Sequence, residues 1–509
     1  MHPNQFTNRA VWGDVPLLSS YDVLRGDITA DVAIVGAGIT GLSTAYHLAK
    51  AGKNVVILEQ SQVGKGTTGS STGNLYAPID ERLFSIGIKH NEETMSKVAE
   101  SRLAAIKFIE DVVQEFGLDC DFQRVPWHLF TTPATSQESS QVDKEKKAAI
   151  QAGLRVNDAI PAGFPFSVDS LLTLEHQAQF NPLKYVQQLA AAIVSDHCKI
   201  FENSQVTLVE DGSPCKIHTS LGTVTAGKVI MATHSPKGIY GVHTAMEPHR
   251  EFVLAARLKL GLPPPGIYWH VQSSQQYSVR PYRSDHGDYL LVLGEAYKAG
   301  TKTDTEELVQ KIETYLRTHF EVEDIQYTWA AQNYKPADNL PYIGTSPLEK
   351  NTYIATGFAA DGLTYGTLAG MIISDDILGR ENPFAPIYDP KRFTPVASAL
   401  NVAKVNVSTA GHLLKDYLFY GEAEGLSDIK AGEGKTLRID GEHLAAYRDE
   451  EGKVHLVSGI CTHMGCVVHF NSAEKSWDCP CHGSRFSVDG KVLEGPAYSD
   501  LPQPKKPLP

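Results

Sequence analysis

Four of the chain's seven cysteines fall between residues 461 and 481, and each pair is accompanied by a histidine. The two segments read Cys461-Thr462-His463-Met464-Gly465-Cys466 and Cys479-Pro480-Cys481-His482-Gly483-Ser484. Two short loops that each offer a thiolate and an imidazole predict a metal centre, because these ligands suit iron–sulfur chemistry or zinc. A Cys2His2 zinc site is the competing reading. Against it stand Cys466 and Cys481, one additional cysteine beside each ligand pair. Seven cysteines in 509 residues do not make a secreted disulfide scaffold.

A second constraint lies near the other end of the chain. Asp31-Val32-Ala33-Ile34-Val35 predicts a buried strand, followed by Gly36-Ala37-Gly38-Ile39-Thr40-Gly41. Ile39, Leu42, Ala45 and Ala49 recur at helical spacing, Gly52 suits a helix C-cap, and Asn54 to Leu58 predicts a second strand ending at Glu59. In that strand–turn–helix context G-x-G-x-x-G predicts a βαβ nucleotide site. Gly36 permits the tight turn. Gly38 lets backbone approach a pyrophosphate at the helix N-terminus, where dipole and free N–H groups favour negative charge. Gly41 allows close helix–strand packing, and Glu59 accepts hydrogen bonds from a ribose. The motif alone leaves NAD and FAD open. A single such fingerprint argues that the reductant is a small organic molecule and not NAD(P)H.

The length predicts about three structural units. Residues 61–80 are rich in Gly, Ser and Thr and predict a loop; 85–117 predict a helix with Val98, Leu103, Ile106, Ile109 and Val113 on one face. Lys184–Asp196 predicts a helix, and Val206–Val209, Lys216–Thr219 and Lys228–Ala232 predict strands. Pro383, Pro386, Pro390 and Pro395 mark a connector, followed by an apolar stripe of Val402, Val405, Leu413, Leu414, Tyr417 and Leu418. The stripe suits a strap between domains, or, as the alternative, a membrane-surface contact. Beyond 420, Thr436–Ile439, Leu444–Arg448 and Val454–Val457 alternate with Gly and Asp turns, as in a small all-β domain. Forty-six basic against fifty-nine acidic residues give a formal charge of −13, which disfavours a nucleic-acid partner. No run of about 18 apolar residues predicts an integral membrane segment, and the first residues lack a secretory pattern. A cytoplasmic location is therefore expected.

CTHMGC and CPCHGS resemble the two cluster-binding loops of Rieske proteins. The resemblance implies a [2Fe–2S] cluster with Cys461 and Cys479 on one iron and His463 and His482 on the other. Neutral imidazoles in place of thiolates leave such a cluster less negative and raise its potential. The resemblance also implies a Cys466–Cys481 disulfide tying the loops, a Ser484 hydrogen bond to a cluster sulfur, and a covering loop at Gly495-Pro496-Ala497. Phe486 stands where the high-potential branch has a tyrosine, and loss of that donor lowers the potential.

Residues 28–385 resemble the FAD-dependent amino-acid and amine oxidoreductases of the D-amino-acid oxidase family. The resemblance is carried by the glycine motif, Gly66–Asn74, Met231-Ala232-Thr233-His234, Asp338-Asn339-Leu340-Pro341-Tyr342-Ile343-Gly344 and Gly357-Phe358-Ala359-Ala360-Asp361-Gly362-Leu363. It implies FAD, held by Gly36, Gly38, Gly41, Glu59, Val206, Gly357, Gly362 and Leu363, with a helix N-terminus near Gly362 aimed at the flavin pyrimidine ring. Arg280 and Tyr282 are the candidates for holding a substrate carboxylate. His234, His249 and His270 are candidate bases, with packing as the simpler reading. Cys120, Cys198 and Cys215 match no flavin attachment position and predict buried packing. The two-part layout resembles bacterial Rieske proteins of the same fusion type.

The expected architecture is an α/β FAD-binding Rossmann-type domain with an interleaved α+β substrate domain, plus a small all-β C-terminal Rieske domain. FAD-binding segments are placed near 28–80, 180–240 and 335–385 within domain 1–385, a linker at 386–420 and the Rieske domain at 421–509. The expected activity is dehydrogenation of a small amine or amino acid. Electrons then pass from flavin to cluster and on to an external acceptor, a redox protein or quinone. A non-catalytic redox relay or sensor is the alternative. A Rieske oxygenase is disfavoured because little chain follows the cluster loops to carry a mononuclear iron site.

Overall fold

The computed structural model describes residues 6–14, 18, 20–132, 136–238, 241–272, 275–392, 421, 423 and 425–504. The glycine motif opens an eight-stranded sheet with the path Tyr342–Thr345, Thr352–Thr356, Thr223–Met231, Ile28–Val35, Val55–Leu58, Cys198–Phe201. Its central pairs are parallel, with Val35 opposite both Leu58 and Met231. Val55–Leu58 is buried at every position, as expected of a parallel strand covered on both faces. Because the strands end level, Gly36, Glu59 and Ala232 emerge together at the carboxyl edge, where open α/β sheets bind ligands.

The helices Ile39–Lys50 and Gly362–Ile377 pack side by side over this sheet. Glycine sets their separation: a Cβ at Gly366 would lie 2.6 Å from Thr40 Oγ1, and one at Gly370 would lie 2.6 Å from Ser43 Cβ. Two helix N-termini are thereby brought to the same sheet edge.

A nine-stranded sheet forms the second layer, with Val322–Pro336, Met246–Leu258, Gly287–Lys298 and Gln276–Ser284 at one end of its path. Phe252 and Leu254 on one face of the Met246–Leu258 strand pack against Leu308, Ile312 and Leu316 of the helix Glu306–His319. Glu251 projects from the opposite face, because side chains alternate along a strand.

The helix expected over 85–117 is broken. Leu83–Lys89 ends at His90, and Glu92–Phe116 restarts because Asn91 caps it, accepting from Thr94 N (2.8 Å). The loop expected over 61–80 carries a 3-10 turn at Thr67–Ser70 and a short strand at Asn74–Leu75. The first residues expected in the linker pack on the large body: the Tyr388 hydroxyl shares a hydrogen bond with Ser101 (2.8 Å), and Arg392 pairs with Asp338 (3.0 Å). The Val402–Leu418 stripe lies outside the described residues.

The C-terminal region forms a three-stranded sheet (Gly434–Ile439, Glu442–Arg448, Val454–Ser458) and a four-stranded one (His469–Asn471, Ser476–Asp478, Arg485–Ser487, Val492–Glu494). Ala473 joins the core of the nine-stranded sheet, so the small domain is seated on the large one. Among the described residues no helix is long and apolar enough to cross a membrane.

Candidate functional site

The two Cys/His loops share one backbone design. In each, a glycine N–H returns to the carbonyl of the first cysteine four residues back: Gly465 to Cys461 (3.0 Å) and Gly483 to Cys479 (3.0 Å). Both glycines have φ 77, a left-handed conformation that costs other residues strain. The turns bring Cys461 and Cys479 together and place the His463 and His482 rings 4.9 Å apart at 86°. Cys466 and Cys481 form a disulfide across the loops. Their sulfurs lie close to that of Cys479, but, bonded to each other, they are not available as ligands.

The remaining four side chains fit a [2Fe–2S] cluster. Nδ1 of both His463 and His482 is buried without a hydrogen-bond partner among the described residues. His463 Nε2–H donates to the Gly238 carbonyl (3.0 Å), which leaves Nδ1 as the lone-pair nitrogen a metal requires. Burial lowers the pKa of both imidazoles, that of His482 to about 4, so both are neutral. The Cys461 thiol is lowered to about 7 by a hydrogen bond from Cys479, against burial, with the His463 and Met464 N–H groups and the Ser484 hydroxyl assisting. Ser484 Oγ also accepts from Ala497 N (3.1 Å), anchoring the covering loop.

The glycine motif opens into a cavity of about 450 Å³. A Cβ at Gly36 (φ +106) would lie 2.6 Å from Ala232 O, and one at Gly41 2.0 Å from Gly36 O, so the turn admits only glycine there. The helix Ile39–Lys50 has no side-chain cap at Gly38, and Gly362–Ile377 has none at Asp361. Both N-termini face the cavity, Ile39 N donating to Thr68 Oγ1 (3.1 Å), and their dipoles suit the anionic parts of a dinucleotide. Glu59 accepts from Ala37 N and Ser61 N (both 2.9 Å). Gly38, Glu59, Val206, Ala232, Gly362 and Leu363 all line this space, as does much of the 64–74 loop. Gly357 lies just behind the lining, with a Cβ there 3.2 Å from Met246 Sδ. These features fit FAD: a glycine cradle, an acidic ribose acceptor, and a second helix N-terminus at the far end.

Arg280 and Tyr282 lie elsewhere. Arg280 is buried and donates to Gln179 Oε1 (3.1 Å), Phe180 O (3.2 Å) and Thr72 O. Tyr282 bonds Asn181 and Asp121 (both 3.1 Å). They border a separate cavity of about 300 Å³, so Arg280 braces the Thr72 segment from behind. Of the candidate bases, only His234 lines the large cavity; its Nδ1 meets Thr67 Oγ1 (3.2 Å) and burial lowers it to about 4. His249 pairs with Glu247, and His270 is buried against Phe130 and Tyr315. Cys120, Cys198 and Cys215 are buried.

On the large body, the residues that join the two sites carry no sequence motif. Leu493, Glu494 and Gly495 of the small domain line the same cavity as the glycine turn. Gln332 Nε2 donates to Gly483 O (2.7 Å) and Tyr334 Oη to Gly495 O (3.2 Å). Arg250 forks onto Glu474 (2.6 and 2.7 Å) and reaches Glu494 (3.2 Å). Arg485 closes the network onto Glu474, Asp478 and Glu494. Burial works to raise the Glu494 carboxyl, and Arg250 and Arg485 overcome it, holding it at about 2. The one available signal was two adjacent charges, Arg250 and Glu251, leading into the apolar run Phe252–Ala256 of one strand.

Comparison with known proteins agrees with both sites. Residues 31–375 match the family described as FAD dependent oxidoreductase, and 422–505 match the Rieske [2Fe-2S] domain. The chain is 32% identical to the Rieske 2Fe-2S iron-sulfur protein YhfW of Bacillus subtilis, over 97% of this chain and 96% of that one. It is 26% identical to gamma-glutamylputrescine oxidoreductase of Escherichia coli, over 78% of this chain and 95% of that one. In fold it resembles glycine oxidase from Geobacillus kaustophilus, with a TM-score of 0.60 at 18% identity, over 72% of this chain and 99% of that one. The chain therefore belongs to the FAD-dependent oxidoreductases of the D-amino-acid oxidase family, with a Rieske [2Fe–2S] domain joined at its C-terminal end.

Proposed function

We propose that this protein dehydrogenates a small amine or amino acid and passes the electrons from flavin through its own Rieske cluster to an external acceptor, a redox protein or a quinone. When bound, FAD supplies two-electron hydride acceptance and the cluster supplies one-electron transfer, so the pair converts one kind of traffic into the other. The chain's own residues provide the cradle, exclude water and hold the two sites in register. The observation that carries the reading is the shared wall: Leu493, Glu494 and Gly495 close the dinucleotide cavity, while His463 bonds Gly238 directly across the interface. The names of two relatives, a gamma-glutamylputrescine oxidoreductase and a glycine oxidase, support the substrate class.

The test is anaerobic addition of amines and amino acids to the intact protein, following flavin absorbance and then the EPR signal of the reduced cluster. One of these compounds should bleach the flavin, and the cluster signal should follow. Rapid peroxide formation from oxygen, unaffected by replacing His463, would overturn the reading.

A further inference from the structure

We propose that the substrate pocket takes an amine cation with no carboxylate at its reacting end, and that Glu251 is the counter-ion. This rests on the dehydrogenase reading above and narrows its substrate class. Four carboxylates line the large cavity: Glu59, Glu251, Asp361 and Glu494. Glu59 is held by backbone N–H groups, Asp361 by Arg102 (2.8 Å) and Glu494 by Arg250 and Arg485. Glu251 is only 6% exposed, yet its carboxyl makes no hydrogen bond or ion pair among the described residues. A buried carboxyl left without a partner is costly unless a ligand completes it. Burial, reinforced by Asp80 and only partly opposed by Lys335, raises Glu251 to about 8.

The surroundings add acceptors and aromatic faces. Glu251 sits opposite Ala331, so Asn333, two residues on, shares its face of the sheet. Among the described residues Asn333 Oδ1 is buried without a partner, and so is Asn74 Oδ1, which lines the same cavity. Tyr76 and Trp269 also line the cavity, their rings already lying beside Arg102 and Arg82 (both 5.6 Å).

Lys335, Arg102 and Arg82 stand behind the cavity lining at this end and bond the protein's own acceptors, with only Arg82 Nε and Arg102 Nη1 left over among the described residues. Lys335 pairs with Asp80 (3.4 Å) and Glu81 (2.7 Å), Arg102 with Asp361, and Arg82 donates to Asp80 O and Gln276. Lys237 lies at the Glu59 end, bonded to Gln60 (3.0 Å). A substrate carboxylate in the Glu251 pocket would meet acceptors, whereas an ammonium group meets a carboxyl and amide oxygens.

The experiment uses the full-length protein carrying both cofactors and two inert probes of matched shape. They are tert-butylammonium, which has no α-hydrogen to lose, and pivalate. Binding is read by calorimetry and by the shift of the flavin absorption band. The cation should bind at least about 30-fold more tightly than pivalate, and Glu251→Gln, with FAD and iron content unchanged, should weaken it on the order of 30-fold. Pivalate binding as tightly as the cation, or an unchanged cation affinity in the fully loaded variant, would overturn the proposal. Should the variant fail to fold, the preference of the unaltered protein between the two probes still decides. Cation binding through Glu251 with no amine able to reduce the flavin would remove the dehydrogenase reading and leave this one standing.

Discussion

Replacing Arg250 with methionine should uncouple the two cofactor sites without emptying either. Arg250 is 1% exposed and spends its guanidinium on Glu474 and Glu494, both in the small domain. Methionine keeps much of the stem's bulk but removes the charge, leaving the Glu474 carboxylate, itself 2% exposed, dependent on Arg485 (2.8 Å). Breaking a buried pair from one side costs about 3–5 kcal/mol, and the retained Arg485 places the loss near the lower end, about 3 kcal/mol. At about 1.4 kcal/mol per decade this shifts the docked-to-undocked equilibrium roughly 100-fold. The Gln332–Gly483 and Tyr334–Gly495 bonds are neutral, and each contributes only about 1 kcal/mol in place of it. The assay is rapid anaerobic photoreduction of the flavin with cluster reduction followed by absorbance and EPR, beside a thermal unfolding scan. FAD and iron content should be retained, cluster reduction should slow, and unfolding should separate into two transitions. Adding Glu474→Gln should cost less than the sum of the single changes, because the two groups touch. Wild-type transfer with a single unfolding transition at an unchanged temperature would refute the clamp.

Three other changes probe separate parts of the design. Gly370→Ala places a Cβ 2.6 Å from Ser43 Cβ and 2.9 Å from Thr44 N, so despite the better helix former it should destabilise the FAD domain by about 1–2 kcal/mol, read as a lower melting temperature; a rise would show the helices can separate freely. Glu59→Ala removes the ribose acceptor and the partner of Ala37 N and Ser61 N, and should weaken FAD retention on the order of 10-fold or more, measured as the flavin-to-protein ratio after desalting; an unchanged ratio counts against its role. Glu494 sits at about 2 in the folded protein against 4.5 as its ordinary value, so its contribution is fully present above the higher figure and is lost as pH falls toward the lower one. Domain docking should accordingly weaken between those pH values, and Glu494→Gln should flatten that part of the stability profile; an identical acid slope in the variant would exclude Glu494 as its source.

The sites legible in the sequence are those whose chemistry is local. The cluster ligands sit in two turns of six residues, each closed by its own glycine, so their spacing carries the design. The same holds for Gly36, Gly38 and Gly41, where one turn must meet a strand, a helix and a phosphate. The interruption at His90–Asn91 escaped periodicity because one capping side chain overrode it. Arg280 and Tyr282 looked like a carboxylate fork, but side chains alternating along a strand point where the sheet sends them, and this sheet sends both away from the flavin cavity.

What the chain's text by itself determined is the identity of two cofactor sites, because each is built from residues close in sequence whose spacing is dictated by a turn or a βαβ unit. What only the tertiary structure decided is how the sites meet and what the pocket accepts. Arg250 finds Glu474 across more than two hundred residues, and Glu251 beside it is left without a partner among the described residues. The physical reason is that burial and charge pairing are properties of distance in space. They are set when the small domain docks on the sheet, and no local pattern encodes which of two adjacent charges will be neutralised and which will be left for a ligand.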